Sequence, residues 1–161
     1  MGRVVSEAAI ATASTEHSGA IRTVLLATDL TEASREATDQ AIEIASSLRA
    51  QLLVVHVIDA AGAGAGSPVP FDSVLRMDQR RSKRESPLLA IVERSRSRGG
   101  AAAYLLWSGE PGPSIVAAAE AEGADLIVVG TRGLDEAGKY LLGSVSNYVV
   151  YHSDCPVLVA H

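Results

Sequence analysis

Five short apolar segments, separated by stretches of helical periodicity, constrain the fold of this chain more than any other feature. They span residues 23–27, 52–58, 101–107, 126–129 and 156–160. Most are continuously apolar rather than alternating, which is typical of strands buried on both faces of a parallel sheet. Between the first two segments, Ala37, Ala41 and Ile44 recur at helical spacing. The alternation of strands and helices, with right-handed crossovers, predicts an α/β fold: a doubly wound parallel sheet with helices on both faces.

Length and composition indicate one globular domain. A chain of 161 residues is long enough for one full core and short for two. Residues 1–20 are rich in alanine, serine and threonine and have no sustained period. We therefore expect a flexible N-terminal tail over residues 1–20, followed by a single domain over residues 21–161.

The same composition excludes several partners. A net charge of −5 argues against nucleic acid. No apolar run approaches the roughly 20 residues that span a bilayer, and the N-terminus lacks the pattern of a secretory signal. Cys155 has no second cysteine with which to form a disulfide, which suits a reducing compartment. We expect a cytoplasmic protein that does not bind membranes.

The region between the second and third strands is the least regular. Residues 60–70 are rich in glycine, alanine and proline, which predicts a flexible loop. Residues 71–98 have a helical pattern that contains Pro87. This proline must either kink one long helix or open a second helix capped by Ser86.

The fourth strand leads directly into a glycine pattern that predicts a phosphate-binding loop. It begins at Gly130 and Gly133 and continues, nine residues later, at Gly143 and Ser144, with the spacing G-x2-G-x9-G-[ST]. Glycine permits positive φ and lets backbone N–H groups approach an anion closely. The helix that follows adds unpaired N–H groups and the positive end of its dipole. The spacing is neither the Walker pattern nor the Rossmann fingerprint.

Asp29, directly after the first strand, is the second candidate for ligand contact. Ligands of an open parallel sheet bind at the carboxyl ends of the strands, where the strand order reverses. If the first and fourth strands are neighbours there, Asp29 faces the glycine loop and can accept hydrogen bonds from a ribose hydroxyl or an adenine amine. The alternative is that Asp29 only starts the first helix.

His56 is interpreted as a core histidine, because no second residue keeps metal-ligand spacing with it.

Together these features resemble the universal stress protein family over residues 21–161. The resemblance is carried by Thr28-Asp29, by Val55-His56-Val57-Ile58-Asp59, and by the full glycine pattern ending in Cys155-Pro156-Val157-Leu158-Val159. Family members that keep the glycine pattern bind ATP and those that lack it do not, so the resemblance implies the ATP-binding branch. We expect the five strands in the order 3-2-1-4-5.

The resemblance also implies a role for each site residue. The adenine and ribose end would be lined by Ala27, Asp29 and Val57, with the adjacent Thr28. The ribose and first phosphates would be wrapped by Val129, Gly130, Arg132 and Gly133. The phosphate tail would be held by Gly143, Ser144, Val145 and Ser146. The expected cofactor is ATP, or ADP or AMP, with or without magnesium; no catalytic residue and no metal-ligating residue is expected.

Two functions remain in competition. The first is a regulatory protein of the stress response, in which a bound adenine nucleotide shifts conformation or the choice of an unknown protein partner. The second is a weak ATPase or a nucleotide-hydrolase-like enzyme. Related ATP pyrophosphatases carry a Ser-Gly-Gly loop where this chain has Thr28-Asp29-Leu30-Thr31. No general base or nucleophile–histidine pair is evident near the glycine pattern, so the regulatory protein is the preferred interpretation.

A homodimer through the C-terminal strand is also expected. In the order 3-2-1-4-5 the fifth strand, residues 156–160, lies at an edge of the sheet and carries no charge. An exposed apolar edge invites pairing with another chain, and members of the family commonly pair this strand antiparallel across a two-fold axis. The alternative is that the N-terminal tail or a loop covers this edge in a monomer.

Overall fold

The computed structural model describes residues 4–5, 19–58, 71–131 and 142–161, and for residues 4–5 and 71–83 it describes the backbone alone. Within these ranges the strands are β1 (Val4–Val5), β2 (Thr23–Ala27), β3 (Gln51–Ile58), β4 (Ala102–Ser108), β5 (Leu126–Gly130) and β6 (Val157–Ala160). The helices are α1 (Arg35–Leu48), α2 (Phe71–Ser97), α3 (Pro111–Glu122) and α4 (Ser144–His152). A short 3₁₀ turn, Glu32–Ser34, precedes α1.

The strands form one sheet in the order β1-β4-β3-β2-β5-β6. Every neighbouring pair from β4 to β6 is parallel. The predicted doubly wound sheet, with five parallel strands in the order 3-2-1-4-5, is therefore confirmed.

The short strand β1 was not predicted. It runs antiparallel to β4, with Val4 opposite Leu106 and Val5 opposite Leu105. Two residues carry no periodic signal, so the sequence pattern could not indicate this strand. Residues 1–3 and 6–18 lie outside the described residues, so the flexible tail stays a prediction.

Helices cover both faces of the sheet, which explains why the strands are continuously apolar. On β2, Val24 and Leu26 pack with α1 and α2, whereas Leu25 packs with α3 and α4. All three side chains are fully buried. Complete burial of a leucine contributes about 2 kcal/mol, so each successive residue of the strand stabilises one of the two layers.

The helix ends follow from local sequence. Proline begins α3 at Pro111, where its missing N–H would have no intrahelical partner anyway. Gly123 ends the same helix in the left-handed conformation, at φ 61°, which glycine adopts without strain. The helix α2 is continuous with Pro87 inside it, so the alternative of a second helix starting at Ser86 is wrong. Residues 60–70, the expected loop, lie outside the described residues.

Candidate functional site

A cleft opens at the carboxyl ends of the central strands, where the strand order reverses between β2 and β5. This is the position at which open α/β sheets bind their ligands. The turn after β2 forms one wall, and the start of α4 together with the end of β5 forms the opposite wall. The lining residues in the described part of the chain are Ala27, Thr28, Asp29, Ala33, Ser34, Val55, Val57, Pro111, Ile115, Val129, Gly130, Thr131, Gly143, Val145 and Ser146.

The structure brings most of the sequence-predicted site residues together. Those that line the cleft are Ala27, Thr28, Asp29, Val57, Val129, Gly130, Gly143, Val145 and Ser146. Ser144, the first residue of α4, is exposed and lies beside the cleft lining rather than in it. Arg132 and Gly133 lie outside the described residues, so their placement stays a prediction.

Other lining residues were missed by the sequence reasoning. Val55 stands two residues before Val57 on the same strand, so the two-residue period of a strand could have found it. Thr131 lies inside the glycine pattern at a position where the pattern specifies no residue type. Pro111 and Ile115 come from α3, which reaches the cleft through tertiary packing that no local motif encodes.

The turn after β2 has a fixed hydrogen-bonded shape. The Thr28 N–H donates to the Val55 carbonyl (3.0 Å), and the Thr28 Oγ1 lies 2.9 Å from the Ser34 hydroxyl. The Leu30 N–H donates to Thr28 Oγ1 at 3.1 Å, and Leu30 itself is left-handed, at φ 64°. A left-handed leucine is strained and persists only when surrounding bonds hold it. The turn is therefore held in one conformation that presents Asp29.

Asp29 is tied into this turn by its own carboxylate. Its Oδ1 accepts the Thr31 N–H at 3.0 Å and the Thr31 hydroxyl at 2.6 Å. Thr31 occupies the N-cap position of the 3₁₀ turn and Ser34 that of α1. Asp29 is thus not the N-cap residue of either element, although its carboxylate closes the turn that leads into them.

The helix α4 begins at the glycine pattern. Gly143 is its N-cap residue, with φ −64° and ψ 163°, which is extended backbone open to any residue. The buried hydroxyl of Ser146 donates to the Gly143 carbonyl at 3.0 Å. The first N–H groups of a helix have no intrahelical acceptor, so this end of α4 presents donors beside the cleft.

The floor of the cleft is apolar. Ala27, Val55, Ile115 and Val129 are buried, and Val57 is half-buried beside them. An apolar floor with polar groups at two ends is typical of small-molecule sites. In the described part of the chain, no group of three or more metal-ligating side chains stands close enough to hold a metal ion.

His56 lies beneath the turn that carries Asp29. Only 6% of the residue is exposed, which confirms its interpretation as a core histidine. Its Nδ1 is 2.8 Å from the Thr28 carbonyl oxygen. Burial lowers the pKa of His56, as does the charge of Arg84, while the bond to Thr28 and the charge of Asp29 act in the opposite direction.

Comparison with known proteins identifies the family. The model of the universal stress protein family matches residues 20–161. The chain belongs to the universal stress protein family. A universal stress protein of Thermus aquaticus is 36% identical over 138 residues, which cover 86% of this chain and 97% of that protein.

Solved structures of universal stress proteins share the fold. One from Lactobacillus plantarum has a TM-score of 0.72 at 24% identity and covers 88% of this chain and 98% of its own. A universal stress protein in complex with cAMP has a TM-score of 0.66 at 27% identity, with the same two coverages of 88% and 98%. In the described residues of the present universal stress protein, no helix combines the length and the apolar character needed to cross a membrane.

Proposed function

We propose that this protein binds an adenine nucleotide, ATP in the first place, in the cleft between the turn after β2 and the start of α4. The observation that carries the proposal is the composition of the cleft. An apolar floor separates a carboxylate-bearing turn from a helix start rich in N–H donors. A ligand that fits has an apolar ring system, a hydrogen-bonding middle and an anionic tail, which are the parts of a nucleotide.

Each part of the nucleotide has a matching wall. The base lies against the floor formed by Val55, Val57 and Val129. Asp29 accepts hydrogen bonds from ribose hydroxyls or the adenine amine, because a carboxylate beside phosphates would be repulsive. The phosphates meet the N–H groups at the start of α4, where the helix dipole is positive. The related structure that contains cAMP supports an adenine nucleotide as the ligand class.

ATP is preferred to the shorter nucleotides because the glycine spacing is complete. The pattern G-x2-G-x9-G-[ST] runs from Gly130 to Ser144, a length that suits a phosphate chain longer than one unit. Magnesium would bind through the phosphates of the nucleotide.

We propose a regulatory role in the stress response, within the cytoplasm. In this role, nucleotide bound in the cleft changes which protein partner the molecule binds.

We also propose a homodimer formed by β6. In the described part of the chain β6 has β5 on one side and no strand on the other. Its residues Val157, Leu158 and Val159 are only half-buried for that reason. Val4–Val5, the described part of the N-terminal tail, pairs at the opposite edge and so does not cover β6.

Calorimetry with ATP on the wild type and on Gly143→Val tests the nucleotide proposal. The valine side chain would crowd a phosphate at the start of α4. Loss of one or two charge-assisted hydrogen bonds should weaken ATP binding by about 2–3 kcal/mol, or roughly a hundredfold.

Gly19→Val is the matched control, because a Cβ at Gly19 meets no atom within 4 Å. This variant should bind ATP like the wild type. Unchanged ATP affinity in a folded Gly143→Val protein, or no binding by the wild type, would contradict the proposed site. Native mass spectrometry of the purified protein identifies which nucleotide it retains.

A further inference from the structure

His56 is hydrogen-bonded to the turn that lines the cleft, at the point where strand pairing ends. The parallel pairing of β2 with β3 stops at Ala27 and Val55. The next residue, Thr28, is held at both ends of its backbone by β3: its N–H donates to the Val55 carbonyl, and its carbonyl lies 2.8 Å from His56 Nδ1. A carbonyl oxygen only accepts hydrogen bonds, so Nδ1 carries the proton. The neutral ring is therefore the Nδ1–H tautomer.

The other ring nitrogen argues against a purely packing role. His56 Nε2 is buried and has no hydrogen-bond partner among the described residues. A buried polar atom without a partner is unfavourable, and an apolar side chain of similar size would avoid that cost. Among the described residues, the hydrogen bond that the ring makes is the one to the turn that carries Asp29.

We propose that His56 is a positioning residue for the nucleoside end of the cleft. Its Nδ1–H fixes the Thr28 carbonyl, and through the Thr28 peptide it fixes the direction in which Asp29 points. The inference rests on the proposed function for its effect on binding. The hydrogen bond from His56 Nδ1 to the Thr28 carbonyl, which we call the clamp, is a property of the ligand-free protein. Leu30, in its strained left-handed conformation, is the residue whose backbone relaxes when the clamp is lost.

Burial of the ring makes the folded protein sensitive to acid through His56. Burial and Arg84 of α2 lower the pKa of His56, and the bond to Thr28 and the charge of Asp29 raise it, with a net lowering. At neutral pH the ring is neutral. A second proton, on Nε2, would be buried without an acceptor in the described residues. Acid therefore destabilises the folded state through this ring, although the Nδ1–H that donates to Thr28 is kept.

Three substitutions separate positioning from packing. In His56→Asn the side-chain nitrogen is as many bonds from Cα as Nδ1, so the donor to Thr28 is kept. In His56→Gln the donor lies one bond further out, and in His56→Leu there is no donor. The Asn and Gln variants remain comparable even where the leucine variant fails to fold.

The first measurement uses ligand-free protein. Nuclear magnetic resonance should show a neutral His56 protonated at Nδ1, and slow amide exchange at Leu30 and Thr31 in the wild type and His56→Asn. Exchange at these two amides should be about tenfold faster in His56→Leu and His56→Gln. Equal exchange rates in all folded variants, or an Nε2–H tautomer, would overturn the proposal.

The second measurement compares AMP with inorganic triphosphate by calorimetry. His56→Leu should bind AMP about tenfold more weakly than the wild type, and His56→Asn should restore most of that affinity. Triphosphate binding should stay unchanged in all variants. Equal AMP affinity in His56→Asn and in the variants without a correctly placed donor contradicts the positioning role. Absence of AMP and ATP binding by the wild type contradicts the proposed function instead, and amide exchange then decides on the clamp alone.

Thermal unfolding against pH gives a third readout. Because the folded pKa is lowered, the unfolded chain binds the proton first as pH falls below about 6.5. The His56 contribution to stability is complete above that pH and is lost as pH falls toward the folded pKa. The unfolding temperature of the wild type should fall more than that of His56→Asn between about pH 7.5 and 5. Parallel pH profiles would overturn the acid sensitivity.

Discussion

At the scale of single residues, the carboxylate of Asp29 combines a structural task with the task that we assign to it toward ligand. Its Oδ1 accepts both the N–H and the hydroxyl of Thr31 and so closes the turn. An aspartate that closes its own turn in this way is common in loops. The position of the turn at the rim of the cleft, facing the start of α4, is what adds the second task.

Two substitutions at Asp29 separate these tasks. Asp29→Ala removes both, so adenosine-containing ligands should bind more weakly while inorganic triphosphate binds as well as before or better. Asp29→Asn keeps an oxygen acceptor for Thr31 and removes only the charge. It should lose part of the AMP affinity, with the turn intact.

Calorimetry with AMP and with triphosphate measures both effects. An equal loss for the two ligands would place Asp29 at the phosphates, contrary to this assignment. No loss for either ligand would remove Asp29 from the site.

Much of this site could be predicted residue by residue because its parts follow directly from strand ends. Asp29 comes two residues after β2, and Gly130 is the last residue of β5. Since parallel strands end at one edge of a sheet, such residues meet whenever their strands are neighbours. Ser34 and Pro111 belong to segments whose approach depends on how whole helices pack, and no pattern of a single sequence reports that packing. The extended backbone at Gly143 could not be predicted either, because glycine adopts both the extended and the left-handed conformation.

At the scale of elements, the contact between α3 and α4 depends on one missing side chain. A Cβ on Gly112 would lie 2.8 Å from Cγ and 2.9 Å from Cδ1 of the Tyr148 ring. Glycine at this position lets the first turn of α3 lie directly against the ring of α4. The ring also stacks on His152, with centroids 3.9 Å apart. The start of α4, where we propose that phosphate binds, is therefore held against α3 one turn further along.

Gly112→Ala should destabilise the protein by about 1–3 kcal/mol, because the tyrosine ring must move out of its rotamer or the helices must separate. In a Tyr148→Ala background the same substitution should cost less, because Cγ and Cδ1 are gone while the Cβ at position 148, 3.0 Å from the added Cβ, remains. Chemical denaturation of the four proteins in this cycle measures the coupling. An equal cost in both backgrounds would show that the Tyr148 ring is not what excludes the Cβ.

The order of elements was predictable because each strand is a continuous apolar segment and each helix has a periodic face. Val24, Leu25 and Leu26 are apolar in succession, and the structure buries them in two different layers. The strand β1 could not be predicted from such patterns. Its two valines resemble any other pair of apolar residues in a polar segment, and only the open edge of β4 turns them into a strand.

At the scale of the whole molecule, the homodimer that we propose depends on the edge formed by β6. Val157 and Val159 share the face that packs with α3 and α4, and Leu158 lies on the other face. The neighbouring helix α4 contacts β6 and carries Tyr151, which is 77% exposed. Pro156 precedes the strand and has no N–H, so pairing is limited at that end.

Val157→Lys and Val159→Lys should each shift the mass measured by light scattering from dimer to monomer at micromolar concentration. A charge beside a pairing strand is a common means of blocking edge association. Because both valines pack with α3 and α4, circular dichroism should first show that each variant is folded. Ser47→Lys, on the exposed end of α1, adds the same charge away from β6 and should leave the dimer intact. A monomeric wild type would refute the model, and a dimer that survives both substitutions would place the interface elsewhere.

The pairing of Val4–Val5 with β4 makes the two ends of the sheet unequal. On one side, Leu105 and Leu106 already have backbone partners from the same chain, whereas β6 on the other side has none among the described residues. A sheet with two unpaired edge strands could add copies at both edges and grow into a fibril, because such contacts do not close on themselves. A sheet with one unpaired edge strand can pair only with the same edge of a second copy, and assembly then ends at a dimer. In the homodimer that we propose, these two N-terminal residues would limit the addition of further copies at the edge opposite to β6.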